Sequence, residues 1–202
     1  MHEHAPARGK QPRPTVGLLY APLVPNKGIS VLLAAIDAAS RRVPGLHVRA
    51  VGVGRLVRTA PLPPGSEYFE NPPQDGLRTI YAACDVWLCA STSEGYHLPP
   101  HEAMACRCPV VSTRVGGPMD LIEDGVNGYL VDVGDTDGLT ERLLEVLELP
   151  EPSWRRMSEA AYDSVKDFTW EEATVLFERG LEAAIDRSRD GIPQGHAGLR
   201  RP

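Results

Sequence analysis

The sequence predicts an α/β fold: a single domain built on a doubly wound parallel sheet. The 202 residues are enough for one domain with a sizeable core. Short apolar runs alternate along the chain with segments in which apolar residues recur at helical spacing. Short apolar strands that alternate with helices are typical of a parallel sheet with crossover helices on its faces.

The individual elements follow from this alternation and from the turn residues that bound each run. Pro25-Asn26-Lys27-Gly28 separates the first strand from the first helix, Pro44-Gly45 ends that helix, and Asn127-Gly128 turns into the last strand. The predicted strands are Thr15–Ala21, Leu46–Val53, Glu67–Phe69, Asp85–Ala90, Pro109–Ser112 and Tyr129–Val133. The predicted helices are Ile29–Arg42, Gln74–Ala83, Leu98–Cys106, Gly117–Glu123, Asp135–Leu147, Ser153–Asp167 and Thr169–Arg187.

The two ends of the chain lack this periodicity. Residues 1–14 hold several prolines and basic residues, and residues 190–202 are similarly irregular. We predict a disordered arm at each end, which leaves residues 15–189 as the folded domain.

Composition excludes several classes of protein. The formal net charge of −6 argues against nucleic-acid binding, which usually comes with a clustered basic excess. No apolar run approaches the ~18 residues that span a bilayer, and the N-terminus lacks the apolar core of a signal peptide, so we expect a cytosolic protein. We expect buried, reduced thiols and no metal site, since Cys106-Arg107-Cys108 is spaced too closely for a zinc pair. The other two cysteines are Cys84 and Cys89.

The candidate site lies in the crossover from the fourth strand to the fifth, because ligands of doubly wound sheets bind outside the carboxyl ends of the strands. Glu94 follows the fourth strand and Glu102 lies one turn inside the next helix, whose start is a natural anion site. Pro99 and Pro100 donate no N–H there. The amide donors would be those of Gly95, Tyr96, His97 and Leu98. Flanking carboxylates suit a phosphate ligand with hydroxylated ends, although spacing alone is better explained by capping or solvated glutamates.

A longer motif surrounds these residues. It reads Glu94-Gly-Tyr-His-Leu-Pro-Pro-His-Glu102-Ala-Met-Ala-Cys-Arg-Cys-Pro-Val-Val111, then Gly116-Gly117, then Asp124-Gly-Val-Asn-Gly-Tyr-Leu-Val131. Leu77-Arg-Thr-Ile-Tyr81-Ala-Ala-Cys-Asp85-Val precedes it, and Phe168-Thr-Trp170-Glu171 follows. This pattern resembles the signature of the family-4 retaining glycosyltransferases, which have the GT-B fold, and the resemblance covers about residues 15–187.

The resemblance implies that the chain is the C-terminal, Rossmann-like half of a GT-B enzyme, with a nucleoside-diphosphate sugar as substrate and no cofactor. It implies that Glu94 contacts the donor sugar, that Glu102 binds the ribose hydroxyls and that the amides of residues 95–98 cradle the diphosphate. Lys27 matches the family lysine that neutralises the diphosphate. Gly117 matches a second turn on the phosphate side, although a purely conformational role fits it as well.

The sequence departs from the family pattern in its positive charges. Pro22 stands where the family carries an arginine that also faces the diphosphate. Losing that cation weakens stabilisation of the leaving group. Arg55, Arg58 and Arg114 lie beside the ligand-side loops and are candidates to replace it, or else ordinary solvated arginines.

Three further departures concern conformation. His97 replaces a family glycine, so a positive φ there would be poorly tolerated, and its ring could instead donate to a phosphate as the imidazolium. His101 is expected on the helix surface. Arg107 replaces a glycine before the next strand, and we expect it at the surface too.

The resemblance also implies a partner, because an acceptor-binding domain normally precedes the first strand, where only about 14 residues stand here. We expect the chain to work with such an N-terminal domain or a partner chain, and its last helix to offer an apolar side for self-association. The alternatives are a nucleotide-sugar-binding module without turnover, and a degenerate scaffold that binds nothing. A dinucleotide oxidoreductase is disfavoured, since no G-x-G-x-x-G follows the first strand.

Overall fold

The structure, a computed structural model, describes residues 6–189. They divide into two compact units that part between Lys166 and Asp167. The second unit contains one long helix. The predicted tail at residues 190–202, and the first five residues of the predicted arm, lie outside the described residues.

The first unit is built on a six-stranded parallel sheet. Its strands are β1 (Thr15–Tyr20), β2 (His47–Gly52), β3 (Glu67–Glu70), β4 (Val86–Cys89), β5 (Val110–Thr113) and β6 (Gly128–Val131). Their order is β3-β2-β1-β4-β5-β6, with every neighbouring pair parallel. The order reverses at β1, which pairs with β2 on one side and β4 on the other. The predicted doubly wound sheet is therefore confirmed, including its short third strand.

Helices cover the sheet. They are α1 (Ile29–Ser40), α2 (Gln74–Ala82), α3 (Leu98–Ala105), α4 (Gly116–Leu121), α5 (Thr136–Glu148) and α6 (Glu151–Asp163), with a 3-10 turn at Pro25–Lys27. The second unit holds α7 (Trp170–Arg189). In the first unit α1 packs against α5, whereas α3 packs against α2 and α6. Within the described residues, no helix combines the length and the apolarity needed to cross a membrane.

Each face of the sheet buries its own apolar cluster, and β4 shows how the sequence divides between them. Val86 and Leu88 belong to the cluster that includes side chains of α1 and α5. Trp87 and Cys89 alternate with them and belong to the other cluster, which includes side chains of α2 and α3. All four cysteines are free and buried in that second cluster. Burial raises the pKa of the Cys106 thiol to about 11, so these groups stay protonated and unreactive.

Residues 6–14 differ from the prediction of a disordered arm, because this segment is packed on the first unit. Arg8 donates to the carbonyl oxygen of Arg107 at 3.2 Å and lies over the ring of Trp154 at 4.7 Å. Lys10 donates to the carbonyl oxygen of Leu147 at 2.6 Å, in the last turn of α5. A cation there satisfies a carbonyl that the helix leaves without an intrahelical partner.

Asp85 anchors the same segment at the amino end of β4. Its carboxylate accepts the backbone N–H of Gln11 at 2.7 Å and that of Thr15 at 2.8 Å. Burial raises the pKa of Asp85, although these two bonds and the nearby cations oppose that shift. The N-terminal segment is therefore part of the folded unit from its first described residues.

Candidate functional site

Two loops meet at the carboxyl edge of the sheet, where the strand order reverses. Asn26, in the loop after β1, donates from Nδ2 to the carbonyl oxygen of Ser93 at 3.0 Å and accepts the N–H of Thr92 at 2.8 Å. Gly28 has φ 61°, and a Cβ there would lie 1.9 Å from the carbonyl oxygen of Ala90. Glycine is therefore required for the two loops to approach each other this closely.

Lys27 and Glu94 face each other across these loops. Lys27 Nζ lies 2.6 Å from Glu94 Oε1, which also accepts the hydroxyl of Ser91 at 2.7 Å. Only 11% of the Glu94 side chain is exposed. Burial would raise the pKa of Glu94, but the hydrogen bonds from Lys27 and Ser91 outweigh it, so the pKa lies below its ordinary value. The structure thus brings together Glu94 and Lys27, which were predicted to act on the sugar and the diphosphate. It adds Ser91, which the sequence analysis did not single out although it lies only three residues before Glu94.

The start of α3 supplies the predicted amide donors. α3 begins at Leu98, with Pro99 and Pro100 in its first turn and His97 as the N-terminal flanking residue. In the described part of the chain, the backbone N–H groups of residues 95–98 have no hydrogen-bond acceptor. Free N–H groups at the positive end of a helix dipole attract an anion.

Gly116 and Gly117, at the start of α4, pack directly against the backbone of this loop. Gly117 donates its N–H to the carbonyl oxygen of Gly95 at 2.8 Å. A Cβ on Gly117 would lie 2.0 Å from the carbonyl oxygen of Tyr96, and one on Gly116 would lie 1.9 Å from that of Gly95. The amide of Gly117, a predicted phosphate-side residue, is thus used within the protein, which is the conformational role that its sequence position also allowed.

The Glu102 carboxylate is held by a hydrogen bond from α2. It lies half-buried in the helix, and its Oε2 accepts the hydroxyl of Tyr81 at 2.8 Å. Tyr81 is buried in the last turn of α2. The sequence did not single out Tyr81 as a site residue, because no local spacing relates it to a glutamate on another helix.

His97 occupies the conformation that glycine would adopt most easily, with φ 59° and ψ 74°. Its side chain is 2% exposed, its Nδ1 has no hydrogen-bond partner among residues 6–189, and its Nε2 lies 3.8 Å from Glu94 Oε1. Burial, opposed by Glu94 and assisted by Lys27 and His101, lowers the pKa of His97 to about 4. At neutral pH the ring is therefore uncharged in this structure, and donation to a phosphate as the imidazolium stays a prediction.

This buried neutral ring predicts that the protein loses stability in mild acid. The folded state resists protonation of His97 down to about pH 4, whereas the unfolded chain takes up a proton near pH 6.5. The contribution of the neutral His97 ring to the free energy of unfolding is fully present above pH 6.5. It is lost as the pH falls toward 4, by about 1–2 kcal/mol at pH 5. We expect urea unfolding at pH 7 and pH 5 to show this extra loss in the wild type and not in His97→Asn, which tolerates positive φ and does not titrate. An equal loss in both proteins would contradict the assignment to His97.

Two residues expected at the surface are packed instead. The His101 ring stacks on Tyr96 with centroids 4.2 Å apart and is half-buried. Arg107 is 8% exposed, lies 4.0 Å over the ring of Tyr162 and forms an ion pair with Glu159. Arg107 has φ 59°, so this position has the left-handed conformation that favours glycine. Its guanidinium nevertheless packs on Tyr162 of α6. The prediction for Arg107 was wrong because Tyr162 and Glu159 lie on α6, which the sequence does not place beside it. His101 is only half-buried, by a tyrosine five residues earlier in the chain.

The arginines considered as replacements for the cation missing at Pro22 lie in different environments. Arg114 lies 3.2 Å from Asp124 and 3.6 Å from Asp132, so its charge is already balanced. Arg55 and Arg58 are exposed in the long loop after β2, and neither forms an ion pair with another described residue. Lys27 is consequently the one predicted cation that the described residues place beside Glu94.

The strand order defines a Rossmann-like domain of the kind that forms the C-terminal half of GT-B proteins. Residues 2–164 match the family of glycosyl transferases group 1. The chain belongs to this family and is a glycosyltransferase group 1 domain.

Individual relatives agree with this placement. The D-inositol 3-phosphate glycosyltransferase of Saccharomonospora viridis is 34% identical over 183 residues, which cover 81% of this chain and 42% of that protein. The fold is similar to that of TarM from S. aureus, solved with UDP (TM-score 0.74, 20% identity, 89% of this chain and 37% of that one). It is also similar to Anabaena HepE, solved with UDP-glucose (TM-score 0.71, 22% identity, 85% of this chain and 49% of that one).

The match covers only part of each relative. The chain spans 48% of the length of an uncharacterized glycosyltransferase of Methanocaldococcus jannaschii. It spans 24% of the N-acetyl-alpha-D-glucosaminyl L-malate synthase of Bacillus anthracis and 42% of the Saccharomonospora protein.

Proposed function

We propose that this chain is the donor-binding domain of a family-4 retaining glycosyltransferase, which transfers a sugar from a nucleoside-diphosphate sugar to an acceptor. The observation that carries the proposal is one arrangement at the start of α3. Its amides have no acceptor among the described residues, Glu94 of the preceding loop pairs with Lys27, and Glu102 lies within the helix. UDP in TarM and UDP-glucose in HepE support this ligand class.

Each part of the arrangement suits one part of the donor. The diphosphate lies at the amides of residues 95–98, with Lys27 as its cation. Glu94 accepts hydroxyls of the sugar, and Glu102 accepts hydroxyls of the ribose. When the bond from the anomeric carbon to the diphosphate breaks, the acceptor oxygen bonds to the same face of that carbon and its proton passes to the departing diphosphate. Negative charge then grows on the diphosphate, where prepositioned amides and an ammonium group stabilise it most.

One observation favours a second candidate, a nucleotide-sugar-binding module without turnover. Pro22 removes a cation from the loop after β1, and the paired Arg114 does not supply one. An N-terminal domain or partner chain would then bring the acceptor and the missing charge. Transfer of sugar from a nucleotide sugar by the chain alone would exclude this candidate. The cytosolic location and self-association through α7 stay predictions.

Nucleotide binding tests the proposal directly. We expect calorimetric titration with UDP, GDP and dTDP to show saturable binding of at least one of them. Glu102→Ala should weaken binding of the nucleotide about thirtyfold, because the ribose hydroxyls lose a charged acceptor, worth about 2 kcal/mol.

Glu141→Ala is a suitable control, since this glutamate lies exposed on α5 and should leave affinity unchanged. If wild type binds none of the three nucleotides, the domain is a scaffold and the proposal fails.

A further inference from the structure

Tyr81 holds the Glu102 carboxylate from within the core. The Tyr81 ring is 4% exposed and packs against Trp87 of β4, with ring centroids 4.4 Å apart. Its hydroxyl donates to Glu102 Oε2 at 2.8 Å. Two packed elements, α2 and β4, therefore fix the position of the donor before any ligand arrives.

The direction of this hydrogen bond is also fixed. Burial and the adjacent Glu102 carboxylate raise the pKa of Tyr81 far above its ordinary value, so the phenol stays protonated and can only donate to the carboxylate. Tyr81 is the one hydrogen-bond partner of the Glu102 carboxylate among the described residues. Without it, a half-buried glutamate with several rotatable bonds is free to sample other rotamers.

We propose that Tyr81 is a positioning residue for nucleotide selectivity, which fixes the Glu102 carboxylate so that it distinguishes a ribose from a 2′-deoxyribose. This inference rests on the proposed function, in which Glu102 accepts the ribose hydroxyls. One lone pair of Oε2 is taken by Tyr81, so Oε1 and the remaining lone pair of Oε2 face the sugar in a set orientation. A hydroxyl adds to affinity only where its acceptor is already held in place.

The test compares nucleotides that differ by one hydroxyl. Wild type, Tyr81→Phe and Glu102→Ala are titrated calorimetrically with UDP and 2′-deoxy-UDP, and with GDP and 2′-deoxy-GDP. We expect wild type to prefer the ribonucleotide about tenfold. Tyr81→Phe keeps the ring against Trp87 but should bind the ribonucleotide about fivefold more weakly, with the 2′-deoxynucleotide within about twofold of wild type.

A matched control is available in Tyr129→Phe. Tyr129 also donates its hydroxyl to a glutamate, Glu145, at 2.7 Å, but it joins β6 to α5. This variant should lose similar stability and keep the wild-type preference for ribose. Equal weakening of both nucleotides in Tyr81→Phe, or an unchanged preference, would overturn the proposal while leaving nucleotide binding intact. Absence of any nucleotide binding by wild type would instead refute the proposed function, and this inference with it.

Discussion

Replacing Lys27 by methionine is expected to weaken UDP binding about a hundredfold and to lower the free energy of unfolding by about 2–3 kcal/mol at pH 7. Both effects follow from the loss of one ammonium group. Lys27 Nζ lies 2.6 Å from Glu94 Oε1, and the side chains of the two residues are 21% and 11% exposed. Removing the ammonium group leaves a largely buried carboxylate without its cation, and removes the charge that we place beside the diphosphate.

A double variant separates these two effects. Lys27→Met/Glu94→Gln replaces the unpaired carboxylate by a neutral amide, which needs no cation, so most of the lost stability should return. Nucleotide affinity should stay low, because the cation is still missing. Urea unfolding and calorimetry on the same samples measure both quantities.

Arg41→Met provides the comparison for an ordinary ion pair. Arg41 pairs with Asp37 one helical turn away, and both side chains are 67% exposed, so its loss should change stability by less than about 0.5 kcal/mol. If Lys27→Met kept wild-type UDP affinity, Lys27 would have no part in donor binding. If the double variant were as unstable as the single one, the instability would not come from the unpaired Glu94.

The sheet and its helices could be predicted from the sequence because their signals are local. In β4, Val86 and Leu88 point to one apolar cluster and Trp87 and Cys89 to the other, which a buried apolar run already indicates. The order of α and β segments then leaves a doubly wound parallel sheet as the natural arrangement. Glu94 and Lys27 were also within reach, because the two loops that carry them both end at the carboxyl edge of that sheet.

The errors at Arg8 and Arg107 share one physical cause: each concerns a charged group whose partner lies far away along the chain. Arg8 looked like part of a disordered arm, yet its guanidinium reaches the carbonyl oxygen of Arg107, 99 positions later. Arg107 looked exposed, yet Tyr162 of α6 stacks with it. Periodicity and composition describe apolar surfaces, and they contain no information about which distant carbonyl or ring will satisfy a given cation.

His97 shows that neither conformation nor charge can be judged from one position in the sequence. Histidine was expected to tolerate a positive φ poorly, yet the structure has φ 59° there. The charge state depends on burial among Glu94, Lys27 and His101, and burial lowers the pKa of the ring to about 4. The neutral ring leaves the helix amides and Lys27 as the positive features of the site.

Gly116→Ala is the second change expected to have a large effect, because no side chain fits between α4 and the loop of Glu94. A Cβ at this position would lie 1.9 Å from the carbonyl oxygen of Gly95 and 2.5 Å from that of Glu94, and its φ of 34° lies in the region that favours glycine. Both contacts are backbone atoms, so the clash can be relieved only by moving the loop. We expect a loss of at least about 3 kcal/mol in the free energy of unfolding and of about a hundredfold in UDP affinity.

Gly134→Ala isolates the backbone part of this effect. Gly134 also has a positive φ, 82°, but nothing lies within 4 Å of a Cβ built there, so its replacement should cost only about 1–2 kcal/mol and leave UDP affinity unchanged. Thermal unfolding and calorimetry of the two alanine variants give the comparison. Equal stability of the two would mean that the loop yields to the methyl group. The loop before α3 would then owe its position to its other contacts, those of Asn26 with Thr92 and Ser93 and that of Lys27 with Glu94.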